Sequence, residues 1–190
     1  MSTAELDQAI TNAATGTRAA VGLTSRCPYG LGACWGGAYE ALQKLDGVQA
    51  VRPIANAEDS TAEVYLHGDT LPDVDHWAQQ IASIANGSYD FRGVEVSVRA
   101  NVRAQNGGLG LTGPSIDKVV ALAPLEQVDK VQFDRSIGTA KPATTDELEA
   151  YQNLLARYRA AGAADLPAQV TGPLKKAGNN WVIHVRSFEA

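Results

Sequence analysis

Two cysteines are the residues of this chain best suited to chemistry. Cys27 and Cys34 are its only cysteines, and the loop between them reads Pro-Tyr-Gly-Leu-Gly-Ala. Two thiolates can hold a soft metal ion such as Cu(I) or Zn(II), or can cycle between dithiol and disulfide. Because the glycines keep the loop backbone flexible, the two sulfurs could meet on one ion or form a disulfide. Three interpretations therefore stay open: a metal or redox site, a structural disulfide, and a pair of inert thiols.

The histidines and the glycine-rich segments do not assemble a second reactive site. His67, His76 and His184 are far apart in sequence and belong to no ligand or catalytic motif. We expect His76 to face solvent and His184 to be a half-buried strand residue rather than a ligand. The segment 107–113 lacks the Lys-Ser/Thr ending of a phosphate-binding loop, and no Gly-x-Ser-x-Gly is present. No catalytic residues are predicted, and the sequence favours a non-enzymatic accessory or binding protein.

The pattern of apolar residues from 17 to about 102 predicts the element order β-α-β-β-α-β. The predicted elements are a strand over 17–24, a helix after Cys34, strands over 48–54 and 62–67, a helix opened by Thr70–Asp73 and a strand over 93–102. In the last strand Val94, Val96 and Val98 alternate with polar residues, which marks one buried face. This order is typical of a ferredoxin-like α+β fold, an antiparallel sheet with two helices on one face.

The spacing around Cys34 carries a family resemblance. Cys34 lies eight residues before Leu42 and fourteen before Val48, and the loop is preceded by Gly22-Leu23-Thr24. Over roughly residues 17–102 this resembles the heavy-metal-associated domain of copper chaperones and metal-ATPase tails. In that family a Gly-Met-Thr leads into the loop, and the second cysteine of a metal-binding pair begins the first helix. The resemblance implies the ferredoxin-like fold and a metal site in this loop.

One position of the loop departs from the family pattern. Leu31 stands where the first cysteine of the metal pair would be, and Cys27 lies seven residues before Cys34. The metal-binding pair is therefore degenerate. A Cu(I) or Zn(II) site would require Cys27 to replace the missing ligand across a lengthened loop. Otherwise the two cysteines form a disulfide that closes the loop and stabilises the turn.

The second half of the chain predicts a small barrel. Its predicted strands are 109–113, 119–125, 130–133, 168–175 and 181–188, with a helix that begins at the capping box Thr144–Glu147. Three strands, a helix and two strands are typical of an OB-like five-stranded barrel. The repeated Thr-Gly-Pro at 112–114 and 171–173 is interpreted as barrel-corner geometry.

These patterns divide the chain into four predicted parts. They are an N-terminal tail or short helix (1–16), a ferredoxin-like domain (17–103), a glycine-rich linker (104–110) and an OB-like barrel domain (111–190). The fold class is therefore predicted as α+β, a ferredoxin-like sandwich followed by an OB-like barrel with one helix.

Charge and the exposed edges of sheets bear on the partners. The net charge is −5, with 6 basic and 12 acidic residues before residue 101 and 10 basic and 9 acidic after it. This balance does not favour nucleic acid. As the alternative, single-stranded nucleic acid could use the barrel's aromatic and basic residues: Phe133, Trp181, Phe188, Arg135, Lys141, Lys175, Lys176 and Arg186. Because open strand edges can pair with another chain, a protein partner or a homo-oligomer is expected, and a structural, self-assembling role is the alternative function.

The compartment stays open. No window of the sequence approaches the roughly 20 apolar residues of a membrane span. The first 22 residues lack a basic segment followed by an apolar one, so no signal peptide is expected in this chain. The protein is expected to be either cytoplasmic or a mature secreted form.

Overall fold

The computed structural model describes residues 2–190, which form helices and strands in a mixed α+β arrangement. The helices are α1 (Thr3–Ala13), α2 (Gly30–Ala33), α3 (Trp35–Gln43), α4 (Val74–Ile84) and α5 (Thr145–Ala160). The strands are β1 (Arg18–Ser25), β2 (Val48–Val51), β3 (Thr61–Leu66), β4 (Tyr89–Gln105), β5 (Gly108–Gly113), β6 (Ile116–Pro124), β7 (Phe133–Asp134), β8 (Thr139–Ala140), β9 (Leu166–Ala177), β10 (Asn180–Val185) and β11 (Ser187–Glu189). Within this part of the chain, no helix is long and apolar enough to cross a membrane.

The first four strands form an antiparallel sheet in the order β4-β1-β3-β2. Ala19, Val21 and Leu23 of β1 lie on its core face and are fully buried. Helix α3 packs against β2 and α4, and α4 packs against β4. These helices cover one face of the sheet. The other face, which carries Glu95, Ser97 and Arg99 of β4, is called the open face.

Five strands close a barrel in the order β4-β5-β6-β10-β9, with β9 returning to β4. The pairs are antiparallel except for β6 and β10, which run parallel. Helix α5 lies between β8 and β9 in sequence and packs against β6, β10 and β11. Its N-terminus has the predicted capping box, in which Thr144 and Glu147 satisfy each other's backbone N–H groups. A closed five-stranded barrel, as the sequence predicts, is therefore confirmed, but β4 provides one of its strands.

Strand β4 belongs to both the sheet and the barrel. Over its 17 residues it pairs with β1 at one end and with β5 and β9 further along. Its even-numbered residues from Val94 to Val102 lie in one hydrophobic core that also contains barrel residues. Because side chains alternate along a strand, its odd-numbered residues Glu95, Ser97 and Arg99 all lie on the open face. The two halves of the molecule thus share one strand and one core.

Three segments differ from their prediction. Residues 104–110, predicted as a linker, are the end of β4, a turn at Asn106-Gly107 and the start of β5. Both turn residues have positive φ, which fits a tight hairpin of the Asn-Gly type. Residues 130–133, predicted as the third barrel strand, lie outside the barrel, and β4 supplies the strand that the prediction missed. The helix predicted to open at Thr70 begins after its N-cap, Asp73.

The connection from β6 to α5 folds back across the open face. Val131 packs directly over Gly22, where a Cβ atom would lie only 2.8 Å from the valine Cγ1. The guanidinium of Arg92 donates to the carbonyls of Val131 and Ser60 and lies over the ring of Phe133. Burial lowers the pKa of Arg92 to about 10. These contacts hold residues 129–134 against the sheet and leave a polar cleft beside them.

The N-terminal segment forms a short helix that docks on the sheet. Helix α1 begins with a capping box between Ser2 and Glu5 and packs against β2 and β3. Its Ala13 is buried. Residue 1 of the predicted tail lies outside the described residues.

Candidate functional site

The structure joins Cys27 and Cys34 in a disulfide, which is one of the three interpretations that the sequence leaves open. Their Cα atoms are 6.7 Å apart. Cys27 follows β1, and Cys34 is the N-cap residue of α3, so the bond closes the turn between β1 and α3. Both residues are half-buried. Leu31, at the position of the family's first cysteine, is only 2% exposed and is part of the core.

The cysteine pair in this form does not fit a soft metal ion. A metal ligand must be a thiolate, and neither sulfur of a disulfide is one. Leu31 supplies no donor atom. Among residues 2–190, no group of three or more His, Cys, Asp or Glu side chains could hold a metal.

The disulfide loop is tied to two other loops. Arg135 donates from Nη2 to the carbonyls of Cys27 and Pro28, at 3.1 and 2.6 Å. On the other side, Trp35 Nε1 donates to the carbonyl of Pro53 at 2.7 Å. The loops 26–34, 53–60 and 133–139 therefore meet at one end of the molecule, which we call the loop end.

The loop end carries three strongly exposed apolar side chains. Tyr29 is 80% exposed, Ile54 77% and Ile137 67%, and each belongs to a different one of the three loops. Val128 is equally exposed, at 76%, but lies outside these loops. Exposed apolar side chains on loops that are fixed to one another are candidates for a contact surface. The sequence did not single out these residues, because their loops come together only in the fold.

A polar cleft of about 270 Å³ lies on the open face beside residues 129–134. It is lined by side chains from the sheet, the barrel and the connection between them: Arg18, Arg52, Glu63, Glu95, Ser97, Gln132, Thr171 and Arg186. Most of its charges are already paired. Arg52 binds Glu63 at 3.1 Å and the hydroxyl of Tyr65 at 3.0 Å, and burial, together with the hydrogen bond to Glu63, raises the pKa of Tyr65.

The basic residues that could have formed a nucleic-acid surface on the barrel are engaged within the protein. Each pairs with a carboxylate or with backbone carbonyls: Lys141 with Asp59, Lys175 with Asp129, Lys176 with Asp75, Arg186 with Glu95 and Glu147, and Arg135 with the disulfide loop. Two of the three aromatic candidates also lie under cations, Phe133 under Arg92 and Trp181 under Lys176. The charges available to a phosphate backbone on this surface are therefore few.

The histidines occupy three separate places. His76 is exposed and lies 2.9 Å from Asp46, and His67 is exposed at the end of β3. His184 is half-buried in β10, with Nδ1 3.1 Å from the carbonyl of Pro124 and from Asp129. The predictions of an exposed His76 and a half-buried strand His184 are both confirmed.

Comparison with protein-family models, with curated proteins and with solved structures finds no match for this chain. The functional interpretation therefore depends on the contacts and charges described above.

Proposed function

We propose that this is a non-enzymatic binding protein that contacts a partner protein through its loop end. The observation that carries the proposal is the exposure of Tyr29, Ile54 and Ile137 on three loops that are fixed to one another. Burial of such side chains on association contributes roughly 25 cal/mol per Å² of apolar surface. A rigid surface also loses little conformational freedom when it binds. The partner can be a second copy of this chain or another protein with an apolar surface.

In this proposal the disulfide has a structural role. It closes the loop that presents Tyr29 and holds the carbonyls to which Arg135 donates. Disulfides of this kind form and persist in oxidising compartments. We therefore propose that the protein works in such a compartment.

We also propose that the two halves descend from known architectures. The strand order β4-β1-β3-β2, with one long helix between β1 and β2 and another between β3 and β4, supports a ferredoxin-like first half. The place of Cys34 directly before α3 supports a divergent relative of the heavy-metal-associated domain. In the second half, the barrel order 1-2-3-5-4 with a helix before its fourth strand supports an OB-like barrel.

Site-specific photocrosslinking tests the proposed contact. A photoreactive phenylalanine analogue replaces Tyr29 in one variant and Val128 in the other, in the cells that produce the protein. Because both positions are equally exposed, random collisions label both to the same extent. The proposal expects discrete adducts from position 29 and none of them from position 128. The same adducts from both positions, or none from position 29, would contradict it.

Light scattering then tests whether the partner in the adduct is a second copy of this chain. If the partner is a second copy, the purified 20.0 kDa chain associates as its concentration rises. In that case Tyr29→Ser and Ile137→Ser weaken the association, and Val128→Ser leaves it unchanged. If the chain stays monomeric, the adduct must contain a different protein.

A further inference from the structure

Two arginines on the open face have no hydrogen-bond or ion-pair partner among residues 2–190. Arg18 of β1 and Arg99 of β4 make no ion pair and no side-chain hydrogen bond with any described residue. The other arginines of the sheet and the barrel do have partners. Arg26, Arg52, Arg103 and Arg186 bind carboxylates, and Arg92 donates to carbonyls. In a chain whose net charge is −5, two free cations on one face require an explanation.

The strand register places Arg18 and Arg99 next to each other. Arg18 lies directly opposite Ser97, and Arg99 is the next residue on the same face of β4. Diagonal neighbours of this kind have Cβ atoms roughly 7 Å apart, within reach of one bound group. Like charges at such positions repel each other, so the empty arrangement is unfavourable and an anion between them would relieve it.

Polar groups complete the surroundings of the two guanidinium groups. Ser97 is buried, and its hydroxyl oxygen lies 2.7 Å from Gln169 Nε2 and 2.9 Å from Thr171 Oγ1. The Thr171 hydroxyl donates to the Ser97 hydroxyl oxygen, so the hydroxyl proton of Ser97 remains free to be donated. Arg18, Ser97, Arg99 and Gln169 line a cavity of about 190 Å³. Through Arg18 and Ser97 this cavity adjoins the polar cleft.

The nearby carboxylates do not neutralise these arginines. Glu95 is held by Arg186, and Glu63 by Arg52 and Tyr65. Glu189 lies on β11, which β9 separates from β4, and lines a wider cavity with Arg99 without forming an ion pair. The excess positive charge therefore stays at Arg18 and Arg99.

We infer that Arg18, Arg99 and the hydroxyl pair Ser97–Thr171 form a binding site for a small oxyanion, a carboxylate, sulfate or phosphate group of a ligand. Guanidinium groups bind such groups through paired, charge-assisted hydrogen bonds. The hydroxyl proton supplies a further donor. The site lies on the open face. Its polar groups differ from the apolar side chains of the loop end, but Ile54 lines the adjoining cleft.

Calorimetric titration at low ionic strength tests the site, with malonate, sulfate and phosphate as probes. Loss of one charge-assisted contact weakens binding about tenfold, so Arg18→Gln and Arg99→Gln should each cost about that factor. The double variant should show no measurable binding. The matched control is Arg157→Gln/Arg159→Gln, which removes the same charge from exposed arginines of α5. Its affinity should stay within about twofold of that of the wild type, because distant surface charges are screened.

The outcome separates the possible ligands and can overturn the inference. Tightest binding of malonate identifies a carboxylate ligand, whereas tightest binding of sulfate or phosphate identifies a tetrahedral oxyanion. The inference is wrong if the wild-type protein binds none of the three anions. It is also wrong if the control variant loses as much affinity as the Arg18→Gln/Arg99→Gln variant. Thermal unfolding of each variant shows that it is folded, and the unfolding midpoint of the wild type should rise with anion concentration.

Discussion

Arg186 and Glu95 form a two-pronged ion pair where the barrel meets the sheet. Nε and Nη2 of Arg186, which follows β10, each lie 2.6 Å from a carboxylate oxygen of Glu95 on β4. Nη1 donates to Glu147 of α5 at 3.0 Å, and Lys130 binds the same glutamate. Burial alone would lower the pKa of Arg186, but the hydrogen bonds and charges of Glu95 and Glu147 outweigh it and raise that pKa. One side chain thus connects sheet, barrel and helix.

Loss of Arg186 should destabilise the protein strongly. Arg186→Met leaves the carboxylate of Glu95, which is only 5% exposed, with Gln132 as its remaining partner. Breaking a buried ion pair from one side typically costs about 3–5 kcal/mol of unfolding free energy. Urea unfolding measures the change. The control is Arg103→Met, which removes a half-exposed arginine 3.4 Å from Asp165 and should cost less than about 1 kcal/mol. Equal losses would show that Arg186 does not connect the two halves.

The same network predicts acid sensitivity. Burial would raise the pKa of Glu147, but the backbone N–H of Thr144 and the cations Lys130 and Arg186 lower it below its ordinary value of 4.5. The Glu147 carboxylate therefore binds a proton more readily in the unfolded chain than in the folded protein. The stabilisation from Glu147 is complete above the pKa that its carboxyl has in the unfolded chain. It is lost as the pH falls through the lower pKa that this carboxyl has in the folded protein. The unfolding free energy should thus be flat above about pH 5.5 and should decline below pH 4.5.

A variant isolates the contribution of Glu147. Glu147→Gln preserves the capping box, since glutamine also serves at that position, but removes the titrating group. Its unfolding free energy should depend less on pH between 3 and 5 than that of the wild type, as followed by urea unfolding across that range. Glu149→Gln, at an exposed position of the same helix, should retain the wild-type slope. Identical slopes in all three proteins would assign the acid sensitivity to other carboxylates.

The repeated Thr-Gly-Pro motif gives two glycines with opposite expectations. A Cβ atom at Gly172 would overlap the carbonyl oxygen of His184, because the backbone of β10 turns directly against β9 there. A Cβ atom at Gly113 would have no neighbour nearer than 3.7 Å. Gly172→Ala should therefore cost about 3 kcal/mol or more, through overpacking against backbone. Gly113→Ala should stay within about 1 kcal/mol. Equal stabilities in thermal unfolding would show that the close approach at Gly172 is not required.

Local patterns predicted the elements well, because those patterns are set by burial on one face. The alternation of Val94, Val96 and Val98 with polar residues marks a strand, but Glu95 and Ser97 between them are buried too. The capping box at Thr144 likewise depends on four neighbouring residues. A strand pattern and a capping box can therefore be predicted from neighbouring residues alone, without the tertiary contacts of the strand or helix.

The missed features depend on which strands pair. The unbroken alternation through Val102 and the Asn106-Gly107 turn are the local signs of a hairpin, but the glycine-rich composition favoured a linker. No local pattern shows that β4 pairs with β9, about seventy residues later, and so supplies a barrel strand. The neighbouring positions of Arg18 and Arg99, eighty-one residues apart, likewise follow from register alone.

The disulfide between Cys27 and Cys34 stabilises the turn that it closes. Cys27→Ser/Cys34→Ser should lower the unfolding free energy by about 2–3 kcal/mol, because the closed loop is short and the unfolded chain regains little entropy when it opens. Reductant should lower the stability of the wild type by the same amount and should leave the double serine variant unchanged. Urea unfolding with and without reductant makes the comparison. If reductant affects both proteins equally, or neither, the bond does not stabilise the turn. In that case Arg135 and Trp35, which bind the loop and its neighbours, would hold the loop end without it.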